Sequence, residues 1–356
     1  MGLVAIATRP LLLYCFLMTY SQKPLIELAK TGKIPGETTI PRHIETVISN
    51  VFVFENLVYK VYKNDNDFFN QGFRDISTTS ARFDFTRRDF TWNQTLSPSI
   101  YLELRGVEVT EEGEVSFVEE DQAEELVMVM NRVEANDVLF EKIVRGEIEK
   151  SESFTIGKQL AASLKKVQKS LSEKFNFYEV FGSRIRDLRA WIKSAADYIS
   201  EEESGKYCDF LEDYRNKNRE WFLGELTQGI VVDGDFHSHN ASFFGNTLYL
   251  MDTFVPKEEW GVGHQFLPLY RIGVDVWVLT GDKSLFKSFM EGYESEAGLK
   301  VDRKLDIPFV IYVSAIMVSY LYMLQKTDPT KKESAERFHK FLRDYFENIQ
   351  SHVGIL

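Results

Sequence analysis

The sequence predicts an α+β chain of two lobes: a small antiparallel β-rich N-lobe, then a large, mainly helical C-lobe. Three observations carry this. Residues 51–62 and 107–118 hold β-branched and aromatic runs folded around short turns, Glu55-Asn56 and Glu111-Glu-Gly113. Ile156, Leu160, Leu164 and Val167 recur at helical spacing, as do Ala335, Phe338, Phe341, Leu342, Tyr345, Phe346 and Ile349. There is no internal repeat and no long low-complexity linker, so a short crossing joins the lobes and leaves a cleft between them.

The elements follow in order. Residues 1–22 are read as an N-terminal extension, disordered or loosely packed. The apolar run from Pro10 to Met18 is too short to span a bilayer, and Arg9 is its only nearby cation, with no A-x-A site after it. Met18 is an alternative start, with order beginning near Ser21 and residues 1–17 dispensable. The small lobe covers 23–130. Its first hairpin is Val51–Phe54 with Leu57–Tyr62. In its second, Val107, Val109, Val115 and Phe117 alternate with polar residues, which marks strands with one buried face. Thr79 to Leu96 reads as a helix stopped by Ser97-Pro98, and Leu126 to Met130 as a closing strand. The helical lobe covers 131–356. Ile307 to Leu324 has no charged residue, yet Pro308, Ser314, Ser319 and three tyrosines favour a buried core helix over a membrane span.

Composition narrows the function. The net charge is −12, which argues against a nucleic-acid partner and fits a neutral or cationic small substrate. Only Cys15 and Cys208 are present, without a disulfide framework, so a cytoplasmic location and no membrane partner are expected.

The chemistry concentrates in Asp233-Gly-Asp-Phe-His-Ser-His-Asn240 and Asp252. Ser242-Phe-Phe and Thr247-Leu-Tyr-Leu-Met251 flank Gly245-Asn246, a two-residue hairpin signal. Such a hairpin folds Asp252 back toward Asp235 and Asn240. Two carboxylates and an amide at one place suit phosphoryl transfer: one group orients a hydroxyl and two hold Mg²⁺ against phosphate oxygens.

The Asp235–Asn240 spacing, D-x-x-x-x-N, is that of the protein-kinase catalytic loop, and Met251-Asp252-Thr253 stands where those kinases have D-F-G. The wider segment resembles the H-G-D-[LF]-H-x-x-N … [IM]-D-x pattern of aminoglycoside phosphotransferase-like kinases, with Asp233 in place of the His. Residues 44–60, ending in Leu57-Val-Tyr-Lys60, resemble the E-T-H-I-S-W-V-F-L-T-G-D-x-V-Y-K signature of a bacterial subfamily of these proteins. Residues 89–102, from Asp89 to Leu102, resemble its E-L-x-L-N-R-R-L-A-P-x-[IL]-Y-L motif, with Asp89 for the Glu. The resemblance spans roughly residues 25 to 280, strongest in three segments.

The resemblance implies a protein kinase-like fold and a phosphotransferase that uses ATP or GTP with Mg²⁺ on a hydroxyl of a small molecule. It implies Lys60 on the phosphates with Asp89 as its acid, and adenine held by the backbone of Met130 and Asn131. It makes Asp235 the catalytic base and Asn240 and Asp252 the metal ligands. Asp89, one methylene shorter than Glu, implies a longer or water-bridged pair with Lys60. Asp275, in Leu269-Tyr-Arg-Ile-Gly-Val-Asp-Val-Trp277, is read as structural, tying the catalytic loop. Two rivals stand beside this. One is a pseudokinase-like nucleotide-binding module without turnover. The other is a metal-dependent hydrolase, with Asp233, Asp235, His237 and His239 on one face of a strand.

Overall fold

The structure, a computed structural model, describes residues 21–46, 48–168, 176–224, 231–232, 234–255, 263–264, 266–326 and 328–353. The N-terminal run to Met18 and its alternative start, Asp233 and the segment 256–262 lie outside them.

The small lobe opens with α1 (Lys23–Lys30), which has Pro24 in its first turn and buries Leu25, Ile26 and Ala29. Three strands follow: β1 (Arg42–Glu45), β2 (Ser49–Val53) and β3 (Leu57–Tyr62). After α2 (Asp67–Gly72) comes α3 (Thr79–Leu96), capped by the Thr78 hydroxyl and ended before Ser97-Pro98, as the turn residues predict. Then come β4 (Tyr101–Val109), β5 (Val115–Val118) and β6 (Glu125–Asn131). All pairs are antiparallel, in the order β1-β2-β3-β6-β4-β5. Period-two alternation divides the sheet's side chains. Phe52, Tyr59, Val61, Val107 and Val129 pack under α1, while Tyr62, Met128 and Tyr101 pack with Phe85 and Phe90 of α3 on the other face.

A fully buried ion pair anchors this lobe. Arg82 and Glu125 are fully buried, 2.7 Å apart, and Arg82 also donates to the carbonyls of Ile76 and Ser77. Gln22 donates to Glu125 and to the carbonyl of Tyr62, and accepts from the amide of Asn64. Gln22, the last residue of the expected extension, is therefore packed into the small lobe. Removing one partner of a buried pair leaves an uncompensated charge. Arg82→Met is expected to lower unfolding free energy by about 3–5 kcal/mol, read by urea denaturation. A loss below about 1 kcal/mol would mean that Glu125 finds water or a proton instead.

The large lobe runs through α4 (Leu139–Val144), α5 (Lys150–Lys166), α6 (Phe177–Trp191), α7 (Glu201–Lys217) and α8 (Arg219–Gly224). A short strand β7 (Val231–Val232) precedes the hairpin β8 (Ala241–Phe244) and β9 (Thr247–Leu250), and β10 (Gly263–His264) pairs with β7. Four helices complete it: α9 (Phe266–Thr280), α10 (Lys283–Ala297), α11 (Asp306–Leu324) and α12 (Lys332–Val353). The helical stripes read from the sequence fall on α5, with Val167 just past its end, and on α12. Helix α11 is apolar on all sides because it is packed against α6, α7, α9 and α12. The stretch Arg303–Leu324 is long and apolar enough to cross a membrane, but 72% of its apolar window is buried inside the lobe.

Candidate active site

The site is assembled by backbone stitching around the second-lobe hairpin. Gly245 (φ +55°) and Asn246 (φ +60°) supply the two left-handed residues that a type I′ turn requires. With the turn set, β9 returns Met251 beside Asn240, and the amide of Met251 donates to the Asn240 carbonyl at 2.8 Å. The amide of Asp235 donates to the Thr253 carbonyl at 2.7 Å. Asn240 then closes the arrangement: its Nδ2 donates to the carbonyls of both Asp235 and Asp252, each at 3.0 Å. Asp252 itself takes the left-handed conformation (φ +53°), and its amide donates to the Tyr101 hydroxyl. The expected convergence of Asp235, Asn240 and Asp252 is what the fold produces.

Lys60 reaches this place from the small lobe. Strand alternation puts it on the Tyr62 face, with Nζ 4.8 Å from that ring. Its Nζ lies 2.5 Å from Asp252 Oδ1 and 3.8 Å from Asp89 Oδ2. Lys63, on the opposite face, pairs with Glu45 and the Thr46 carbonyl. The Lys60–Asp89 contact is direct but long, as the shorter acid implies.

Burial works against the Lys60 charge, yet Asp252 and Asp89 together hold its pKa above the usual lysine value. Asp89 is 1% exposed and accepts from Tyr62 Oη at 2.5 Å and Asn93 Nδ2 at 2.7 Å. Burial lifts its carboxyl to about 6, against the pull of Lys60. Asp252, by contrast, keeps 60% of its side chain in solvent, open to a ligand.

Asp235 differs from what the sequence implies in one respect. Its carboxylate is held by Arg271, from α9, through Nη1, and lies 3.5 Å from His237 Nε2. Burial raises this carboxyl, but Arg271 and then His237 outweigh it and keep it well below the usual carboxylate range. His239 is stacked on Phe140 at 3.7 Å and is kept neutral by burial and by the neighbouring His237. Among the described residues, no group of three or more His, Cys, Asp or Glu side chains is placed to hold a metal; Asp233, a member of the set that the hydrolase reading needs, lies outside them.

Asp275 ties the loop, accepting from the Ser238 hydroxyl at 2.5 Å and from its amide at 3.3 Å. Burial raises its carboxyl from 3.8 to about 6. A carboxyl raised in the folded state binds more protons than in the unfolded chain, so it costs stability as pH rises from about 4 to 6. Asp275→Asn is therefore expected to lose less stability than the parent between pH 4 and pH 7. The difference is on the order of 2 kcal/mol, measured by denaturant unfolding at each pH. Identical pH slopes would refute this burial penalty.

Several participants escaped the sequence reading. Asn93, one turn beyond Asp89 on α3, accepts from the Thr253 amide at 3.1 Å and its hydroxyl at 3.2 Å. Trp92 Nε1 donates to the same hydroxyl at 2.9 Å. One helix thus reads both Lys60 and the residue after Asp252. The i,i+4 spacing of Asp89 and Asn93 was visible, but their partner Thr253 lies far along the chain.

Met130 and Asn131 close β6, which runs one residue past the predicted end at Met130. Met130 pairs with Val58 on one side and Tyr101 on the other. The Asn131 amide is already donated to the Ile100 carbonyl at 2.8 Å, and that of Arg132 to Asn56 at 2.9 Å.

No protein-family model matches the chain, and no curated protein matches it. Among solved structures, it is similar to a glucosamine kinase at 12% identity, over 91% of this chain and 80% of that one, TM-score 0.47. It is also similar to an aminoglycoside phosphotransferase from Streptomyces rimosus in complex with ADP and streptomycin: 16% identity, 83% and 99% coverage, TM-score 0.46. A spectinomycin phosphotransferase in complex with ADP and spectinomycin shows 15% identity, 90% and 93% coverage, and a TM-score of 0.44.

Proposed function

We propose that the chain is a kinase-like phosphotransferase of the aminoglycoside phosphotransferase-like kind, moving the terminal phosphoryl group of ATP or GTP to a hydroxyl of a small molecule. The observation that supports this reading is the meeting of Lys60, Asp89 and Asp252 across the cleft, beside an Asn240 that locks Asp235 and Asp252 together.

The donor set suits Mg²⁺. Asn240 spends its Nδ2 on two carbonyls, which leaves Oδ1 as a hard oxygen, and Asp252 offers an exposed carboxylate. When bound, Mg²⁺ neutralises charge on the phosphate oxygens. Lys60 positions those phosphates, and Asp89 keeps Lys60 charged and oriented. Asp235 accepts the proton of the acceptor hydroxyl as that oxygen bonds to phosphorus and the bridging oxygen departs with the nucleoside diphosphate. The adenine edge is expected against the backbone at the end of β6, at Met130 and Asn131.

A second reading has one observation in its favour. Arg271 occupies Asp235 and depresses its basicity, as a nucleotide-binding module without turnover would tolerate. The test is a thermal-shift titration with ATP and GTP, with and without Mg²⁺, followed by release of diphosphate with an acceptor panel. Metal-dependent nucleotide stabilisation plus turnover is expected. Stabilisation without turnover on any acceptor leaves the binding-module reading. No nucleotide effect refutes both.

A further inference from the structure

Arg271, from α9, lies against the carboxylate of Asp235. Its Nη1 bonds the Asp235 carboxylate, its side chain is 15% exposed, and its Nε is buried with no partner among the described residues. A guanidinium presents a planar fork of five donors, and the Asp235 contact engages one of its nitrogens. Burial first, with small charge effects from Arg184, Arg271, Asp187 and Asp235, pushes the Tyr312 hydroxyl up to about 12. Tyr312 and Arg184 also line a crevice with Phe181, Leu267 and Phe309, and no carboxylate is in that lining.

These groups do not suit a cationic acceptor. An ammonium beside Asp235 would meet the guanidinium at close range in a partly desolvated site, where like charges repel strongly. An anionic group has the opposite effect. It completes the fork, and it competes for Arg271 with Asp235, whose carboxylate is then released toward the hydroxyl. The overall charge of −12 suggests a neutral or cationic substrate. At the base itself, however, the nearest charge is Arg271, and contact outweighs a distant, screened average.

Building on the phosphotransferase reading, we propose that the acceptor is a hydroxyl compound bearing an anionic group, carboxylate or phosphate, which Arg271 anchors beside Asp235. Arg271 then serves both as the anion anchor and as a guard that keeps Asp235 occupied until such a compound enters.

The test uses acceptors matched in shape. Gluconate, glucose 6-phosphate, glucose and glucosamine are titrated calorimetrically into the full chain saturated with ADP and Mg²⁺, and assayed for turnover with ATP. The better of the two anions is expected to bind roughly tenfold or more tightly than glucose, with glucosamine weakest. Which anion leads decides between carboxylate and phosphate. Arg271→Gln is expected to bring anion and glucose within about threefold of each other in calorimetric affinity, and Arg271→Lys to restore part of the preference. Equal binding of gluconate, glucose 6-phosphate and glucose, tightest binding of glucosamine, or an anion preference that survives in Arg271→Gln would overturn the proposal. If ADP and Mg²⁺ do not bind at all, the phosphotransferase reading fails. The same four titrations without nucleotide then still decide whether Arg271 anchors an anion.

Discussion

Asp252→Ala is expected to abolish the Mg²⁺-dependent part of nucleotide stabilisation. Among the described residues, Asp252 is the carboxylate of the site that is mostly in solvent, and Asn240 fixes its backbone to that of Asp235. Without it, Asn240 alone offers an oxygen to the metal, too few for a hard cation that keeps most of its water. At a nucleotide concentration about a hundredfold above Kd, binding contributes roughly 2.7 kcal/mol, and the metal-dependent share of that disappears. Lys60 loses its nearer partner but retains Asp89, so the variant is expected to fold, with a baseline melting temperature measured separately. Unchanged nucleotide affinity in the presence of Mg²⁺ would remove Asp252 from the metal site.

Turnover should fall by about 10²-fold or more in Asp235→Asn, the scale of losing a general base. Nucleotide affinity should stay nearly intact, because in the proposed reading Asp235 serves the acceptor, and it is its backbone, not its carboxylate, that bonds Asn240 and Thr253. The Asn side chain still accepts from Arg271, so the loop is not emptied. Equal turnover in parent and variant would show that Asp235 is not the base. Absent turnover in both, with nucleotide binding kept, would favour the binding module. The structural consequence of the same pair has a sign. The Asp235 carboxyl is depressed in the folded state, so the stability it confers is present above the ordinary carboxylate pKa and is lost as pH falls below it.

Much of this site was legible along the chain because its parts are local. The Gly245-Asn246 turn forces two left-handed residues, and that alone returns Asp252 to Asn240. The five-residue step from Asp235 to Asn240 places both at the ends of one short loop. Strand alternation separates Lys60 from Lys63 whatever the rest of the lobe does. The helix from Thr79 to Leu96 carries its own cap and stop.

What tertiary structure alone decided are contacts between side chains from distant elements. Arg271 sits in an apolar helix whose periodicity explains its neighbours but not its aim; only the packing of α9 against the loop turns it onto Asp235. Asn93 and Trp92 meet Thr253 across more than 150 residues of chain, and Gln22 meets Glu125 across 103. The Asn131 amide is used within the sheet because β4 pairs beside β6, a register that no local pattern states. Turns, caps and alternation are set by backbone sterics within a few residues. The partner of a buried polar group is set by which helices the apolar faces bring together, and many sequences of the same pattern would bring different ones.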